Sequence, residues 1–227
     1  AAYDSAGLGP DSKIGLYLYN GNEYLEAHYA AFKMRGVPIN VNYRYMDEEL
    51  WYLLDNSDAE ALVFHSSLGD RVERVRERLP KLKLLIEVDD GGAGQVPVAR
   101  RYEEALASNV PMPRITRSES DIYMLCTGGT TGMPKGVMWP HKSILMAALG
   151  GGGIYFGRPP IKTPEELAEF VPHGPALTYF ATAPMMHGAA MWATLISLLA
   201  GHTVVVNDQP SFDAEHVWDI VVRDGVN

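Results

Sequence analysis

The chain has 227 residues, of which 47% are hydrophobic and 21% charged, with a formal net charge of −9. That is enough apolar material for one large domain or two small ones, and the acidic balance argues against a protein that lives on nucleic acid or anionic membrane, since both call for a basic surface. The single cysteine, Cys126, excludes an internal disulfide, and no apolar run approaches the about 18 residues of a membrane span.

The opening AAYDSAGLGPDSK lacks the basic and apolar regions of a signal peptide, which makes a cytoplasmic location the expectation. With no initiator methionine at the start and a helical pattern close to residue 227, both ends read as cut from a longer chain. Residues 13–19 (KIGLYLY) alternate Ile14, Leu16 and Leu18 and read as a buried strand. Asn22 can cap a helix that runs to Arg35 and stops at Gly36, and residues 37–41 form the next strand. A helix from Asp47 buries Leu50, Leu53 and Leu54, residues 61–64 are a strand, residues 68–79 a charged helix and residues 82–88 a fourth strand. Strands separated by helices of ordinary length predict a parallel α/β sheet with right-handed crossovers. The turn-rich residues 89–94 and a short helix over 101–107 lead to a linker over 109–120.

Residues 122–126 (IYMLC) are a further strand, and they empty into Thr127-Gly128-Gly129-Thr130-Thr131-Gly132, followed by Met133-Pro134-Lys135-Gly136. The glycines remove Cβ atoms that would keep an anion from the backbone N–H groups, the threonines offer hydroxyls to phosphate or Mg²⁺, and Lys135 adds a mobile positive charge. The spacing is not that of a Walker A loop, because Pro134 and Gly136 flank the lysine, and G-x-G-x-x-G is absent after the strand. Cys126 reads as a small hydrophobe rather than a catalytic thiol.

Beyond the loop, residues 141–149 predict a helix, Gly150 to Gly153 a hinge, and the proline-rich residues 154–175 a surface excursion around a short helix. Residues 176–183 form a strand that delivers Pro184-Met185-Met186-His187-Gly188 at its carboxyl end, where ligands of open α/β sheets collect. Residues 188–199 are an apolar helix containing Trp192, residues 202–206 a strand, and Phe212-Asp213 opens a last helix to Arg223. By itself His187 reads first as a cap on the following helix and only second as a functional group, and Met185, Met186, Met191 and Trp192 read as core or as the lining of a pocket. The seven histidines show no metal-ligand spacing.

The stretch TGGTTGMPKG closely resembles the signature loop of the adenylate-forming superfamily of acyl-CoA synthetases, firefly luciferase and peptide-synthetase adenylation domains, with fatty-acyl-CoA synthetases nearest. Two positions depart from it: Cys126 stands in place of an aromatic residue and Gly128 in place of a hydroxyl residue. The segment VNYRYMDEELWYLLDNSDAEALV is similar to the family's early region, and Pro184 to Gly188 to its segment beside the acyl pocket and adenylate.

The resemblance implies the following. The fold is α/β, layered, with mainly parallel sheets flanked by helices, and residues 1–110 and 111–227 form two subdomains of one larger N-terminal domain. The parent is an ATP-dependent carboxylic acid–CoA ligase, AMP-forming, in which the fragment alone is inactive. Thr127, Gly128, Gly129, Thr130, Thr131, Gly132 and Lys135 hold the ATP phosphates, with Thr130 or Thr131 on Mg²⁺, and Lys135 and His187 are the catalytic candidates. Met185, Met186, His187, Gly188 and Trp192 line the acid pocket, and CoA is the co-substrate. Family members continue to an adenine-binding motif, a ribose-binding aspartate and a C-terminal domain with a lysine for adenylation. No nucleic acid or integral membrane segment is expected, and a homo-oligomer is compatible. The alternative from a different class is a stand-alone phosphate- or nucleotide-binding module without catalysis.

Overall fold

The computed structural model describes all residues except 95, 129–131, 172–175 and 208, and the backbone alone of Tyr155. The chain divides into two compact units, one of residues 1–18 and 23–139 and the other of residues 19–22 and 140–227.

The first unit is built on five strands in the order β2-β1-β3-β4-β5: β1 (Lys13–Tyr17), β2 (Val37–Asn40), β3 (Ala59–His65), β4 (Leu84–Val88) and β5 (Arg100–Arg101). Every adjacent pair is parallel, with Leu16 opposite both Asn40 and Val63, Val63 opposite Ile86, and Ile86 opposite Arg100. All five residues of β4 are buried, as are Ile14, Leu16 and Tyr17 of β1, so both faces of the sheet are covered. The covering elements include α2 (Asn22–Lys33), α3 (Asp47–Asn56), α4 (Gly69–Arg76) and α5 (Tyr102–Ala107), after a short α1 (Ala2–Ser5). In α3 the apolar spacing buries Leu50, Leu53 and Leu54, and Glu49 reaches back to accept from the Met46 N–H at 3.1 Å. Gly15 lets α3 approach the sheet, since a Cβ there would fall 2.7 Å from Leu62 Cδ1 and 3.0 Å from Leu54 Cδ2.

Three expectations of this half need correcting. The left-handed turn that ends α2 falls on Arg35 (φ 67) and not on Gly36, with the Gly36 N–H closing on Ala31 O at 2.8 Å. β5 is a two-residue strand where the sequence reads as helix and connector. β7 (Lys135–Pro140) is a strand that the sequence pattern does not announce, and it pairs with β6 (Ile122–Thr127) in a separate two-stranded sheet.

The second unit holds α6 (His141–Ala147), α7 (Glu166–Phe170), β8 (Thr178–Ala181), α8 (Gly188–Leu199), β9 (Thr203–Val206) and α9 (Ala214–Arg223). β8 and β9 pair in parallel, Tyr179 opposite Val204, across α8. α8 ends in a glycine turn, with Gly201 at φ 78 and the His202 N–H bonded to Ser197 O at 2.9 Å. The expected glycine hinge is instead a packed turn: the Gly151 N–H bonds Leu145 O and the Ile161 N–H bonds Gly151 O, both at 2.9 Å, and a Cβ on Gly152 would fall 2.3 Å from Met146 O. Asp213 caps α9, accepting from the N–H groups of Glu215 at 2.9 Å and His216 at 3.2 Å. Asp213→Ala is therefore expected to lower the stability of this unit by about 1 kcal/mol, read as a shifted urea midpoint with an unchanged m-value. Among the described residues no helix is long and apolar enough to cross a membrane.

Candidate active site

β6 carries Tyr123, Met124 and Leu125 into the core and exposes Thr127. Tyr123 packs with Phe32 and with Trp139, ring centroids 6.0 and 6.1 Å away, which explains why an aromatic residue stands in a strand that must be anchored. The chain then leaves the core at Gly128, whose position has nothing within 4 Å of a built Cβ, and returns through Gly132 at φ 155, a conformation essentially confined to glycine. Pro134 is buried and fixes the return, and exposed Lys135 opens β7. Gly136 leaves room there for the Met124 side chain, whose Sδ would lie 2.8 Å from a Cβ at this position. Glycines at 128 and 132 just past the carboxyl end of a buried strand, with a cation three residues after the second, suit an anion. Gly129, Thr130 and Thr131 lie outside the described residues.

Two side chains of the first unit, neither evident as a site residue from the sequence, hold β6 in place. Before the strand, Arg35 donates to the Asp121 carboxylate from Nη2 at 2.8 Å and from Nε at 3.1 Å, and the Ser118 N–H adds a bond of 3.0 Å. The paired carboxylate raises the Arg35 pKa further. Asp121 thus has a structural role. At the far end, Asn40 donates from Nδ2 to Cys126 O at 2.8 Å and accepts the Cys126 N–H on Oδ1 at 2.7 Å. Both pairs are 86 residues apart in sequence, so β6 runs in the same sense as β2 and in one fixed register beside it. No local signal could have found Asn40, since its partner is distant and consists of backbone. The Cys126 thiol is pushed up to about 11 by burial, the wrong direction for a nucleophile at neutral pH.

The loop after β2 is also fastened. Arg71 Nη1 donates to Tyr17 Oη at 3.0 Å, to Tyr43 O at 2.9 Å and to Tyr45 O at 3.1 Å, which fixes residues 43–45 at the carboxyl edge of the sheet.

The second motif lies in the other unit. After β8 the Met185 N–H donates to Asn20 Oδ1 at 2.7 Å, and Met185 and Met186 are buried, 1% and 3% exposed. His187 occupies the N-cap position of α8 by its backbone, its C=O accepting from the Met191 N–H at 3.0 Å, but its exposed side chain makes no cap bond. Gly188 begins the helix, Met191 is buried and Trp192 is half-buried. Lys135 and His187 therefore belong to different units.

Among the described residues no three His, Cys, Asp or Glu side chains converge, so that part of the chain offers a metal no protein cage. A Mg²⁺ held mainly by substrate phosphates needs only a hydroxyl or two, and the two expected, Thr130 and Thr131, are outside the described residues.

Known structures share the fold. The N-terminal domain of FACL13 from Mycobacterium tuberculosis superposes with a TM-score of 0.77 over 98% of this chain and 50% of that one at 21% identity. The anthranilate CoA ligase AuaEII in complex with anthranoyl-AMP gives a TM-score of 0.78 over 98% of this chain and 40% of that one at 20% identity. In sequence, the chain is 40% identical over 218 residues to the medium-chain acyl-CoA ligase Mig of Mycobacterium avium, covering 94% of this chain and 39% of that protein. It is 40% identical over 224 residues to the 3-oxocholest-4-en-26-oate–CoA ligase of Rhodococcus rhodochrous, covering 97% of this chain and 40% of that protein. The chain thus spans about two fifths of the length of these relatives. The family described as AMP-binding enzyme matches residues 2–227, and a match of that extent, on a fold whose signature strand is pinned at both ends, assigns the protein: the chain belongs to the AMP-binding enzyme family.

Proposed function

We propose that the chain is the N-terminal portion of a carboxylic acid–CoA ligase that activates a fatty acid or similar acid with ATP and passes the acyl group to CoA. The observation that carries this reading is the exposed Gly128 just past β6 with exposed Lys135 opening β7, in a chain 40% identical to two proteins named as CoA ligases. A carboxylate is a poor electrophile, so its oxygen attacks the α-phosphorus of ATP; the bond to the β-phosphate oxygen breaks, and acyl-adenylate and pyrophosphate result. The CoA thiol then displaces AMP.

The loop contributes position and charge. Backbone N–H groups of Gly128, Gly129 and Gly132 and hydroxyls of Thr127, Thr130 and Thr131 hold the β- and γ-phosphates, and Lys135 meets the charge that grows on pyrophosphate. Mg²⁺ at Thr130 or Thr131 would supply further charge neutralisation. In the second unit, His187 and Gly188 border the acid and its adenylate, with Met185, Met186 and Trp192 against the acyl chain. In this reading residues 1–110 and 111–227 are parts of one larger domain, the protein serves fatty acid and lipid metabolism in the cytoplasm, and a homo-oligomer is compatible. Acid-dependent exchange of labelled pyrophosphate into ATP by the full-length protein is the expected result. Phosphate or nucleotide binding without exchange, whatever acid is supplied, would favour the stand-alone binding module.

A further inference from the structure

We propose that Asn40 is a positioning residue for the phosphate-meeting loop, an inference that rests on the ligase reading for its catalytic consequence. One side chain satisfies both backbone groups of Cys126, at 2.8 and 2.7 Å, where a sheet would normally use a neighbouring strand. Among the described residues β6 joins only β7 in a ladder, so beside β2 it is held by side chains. The two fastenings divide the work. Arg35 and Asp121 fix where β6 begins, and Arg35 does so from a left-handed conformation (φ 67) that costs a non-glycine residue free energy. Asn40 fixes β6 at Cys126, one residue before the strand ends at Thr127 and the chain enters the glycine-rich loop. Past Cys126 little else can do so: Thr127 and Gly128 are exposed, and a Cβ at Gly128 would touch nothing within 4 Å. The direction in which the loop leaves the sheet is therefore set at Cys126, one residue before the first threonine.

Removing the amide leaves a half-buried N–H and C=O without these two bonds, and they turn to water by local opening of the strand end. A residue that only contributed stability would act through the folded fraction and leave the chemistry of folded molecules alone.

Cys126 is the chain's one cysteine, so its alkylation rate reports opening at this point. In the 227-residue chain, Asn40→Ala and the milder Asn40→Ser are expected to speed alkylation of Cys126 by about tenfold beyond what each variant's global stability accounts for. The control is Leu53→Ala in the buried face of α3, which should lower global stability at least as much and speed alkylation only by that global amount. In the full-length enzyme the Asn40 variants should raise KM for ATP and lower kcat of pyrophosphate exchange about tenfold, with KM for the acid unchanged, whereas Leu53→Ala keeps the wild-type kcat per folded active site. Alkylation in both Asn40 variants that follows global stability alone, as in Leu53→Ala, overturns the inference, as does an unchanged kcat and KM for ATP. A wild-type enzyme with no exchange would sink the ligase reading, and the alkylation contrast would still decide whether Asn40 holds the strand end.

Discussion

Incubated with ATP, Mg²⁺, a fatty acid and CoA, the 227-residue chain is expected to release no thioester above the uncatalysed background. The Mycobacterium avium and Rhodococcus rhodochrous relatives are about two and a half times longer, since the chain spans 39% and 40% of their lengths. By resemblance, the remaining length carries the contacts to adenine and ribose and the lysine for adenylation. In the proposed reading the loop at the end of β6 meets the phosphates, but without the contacts to adenine and ribose and the adenylation lysine the α-phosphorus is not held in line for attack. Groups that act as a unit in a transition state fail as a unit, and the loss should be nearly complete rather than graded. Discontinuous thioester detection by mass spectrometry over hours is the appropriate measurement. Phosphate or weak nucleotide binding near Lys135 is compatible with the expected result; turnover at rates ordinary for enzymes is not, and would place the active site within these residues.

In the full-length protein, Lys135→Ala should slow acyl-adenylate formation by about one to two decades and change acid binding little. Lys135 is exposed at the first residue of β7, so its removal leaves no cavity and the core of either unit should stay intact. In the proposed mechanism, what goes is a charge directed at the phosphates. One charge-assisted hydrogen bond is commonly worth about 1.5 to 3 kcal/mol, and the whole of it appears in kcat when the contact tightens as charge moves onto pyrophosphate. Single-turnover adenylation, with the melting temperature measured alongside, separates this from a folding defect. Lys135→Arg should recover part of the rate by restoring charge without the compact ammonium. An unchanged exchange rate in Lys135→Ala would remove this side chain from the proposed mechanism.

The parallel sheet is legible in the sequence because its strands are apolar on both faces and its helices repeat at three and four. Leu50, Leu53 and Leu54 mark the inner face of α3 by their spacing alone, and all three are buried. β5 and β7 escaped because neither carries the buried apolar pattern of a strand. β5 is two arginines with no apolar signature, held by pairing to Ile86 and Glu87 and by the Arg101 guanidinium on the Glu87 carboxylate at 2.6 Å. β7 is exposed along most of its length and flanked by prolines, so neither alternation nor burial announces it. The loop was legible because its chemistry is local: glycines, threonines and a lysine in one short run. Its fastening was not, because Asn40 and Arg35 act on residues far along the chain, and Asn40 acts on backbone that carries no sequence signal. The same limit explains Gly36: a glycine after a helix is the usual stop, yet the left-handed residue is Arg35, whose side chain is engaged by Asp121.

The constant offset of 86 residues between the two fastenings of β6 has a consequence for how this chain can change length. The fastenings act as pins and not as a ruler, because each joins one residue to one residue whatever lies between. An insertion in the exposed linker over residues 109–120 would alter the offset of both pins equally and move neither. Its thermodynamic cost is that of a longer loop, about 0.6 kcal/mol for each doubling. A single residue inserted between Asp121 and Cys126 is a different matter: it puts the two pins out of step, and one must release or the strand must bulge. Length can drift freely in the linker and hardly at all in the strand that follows it.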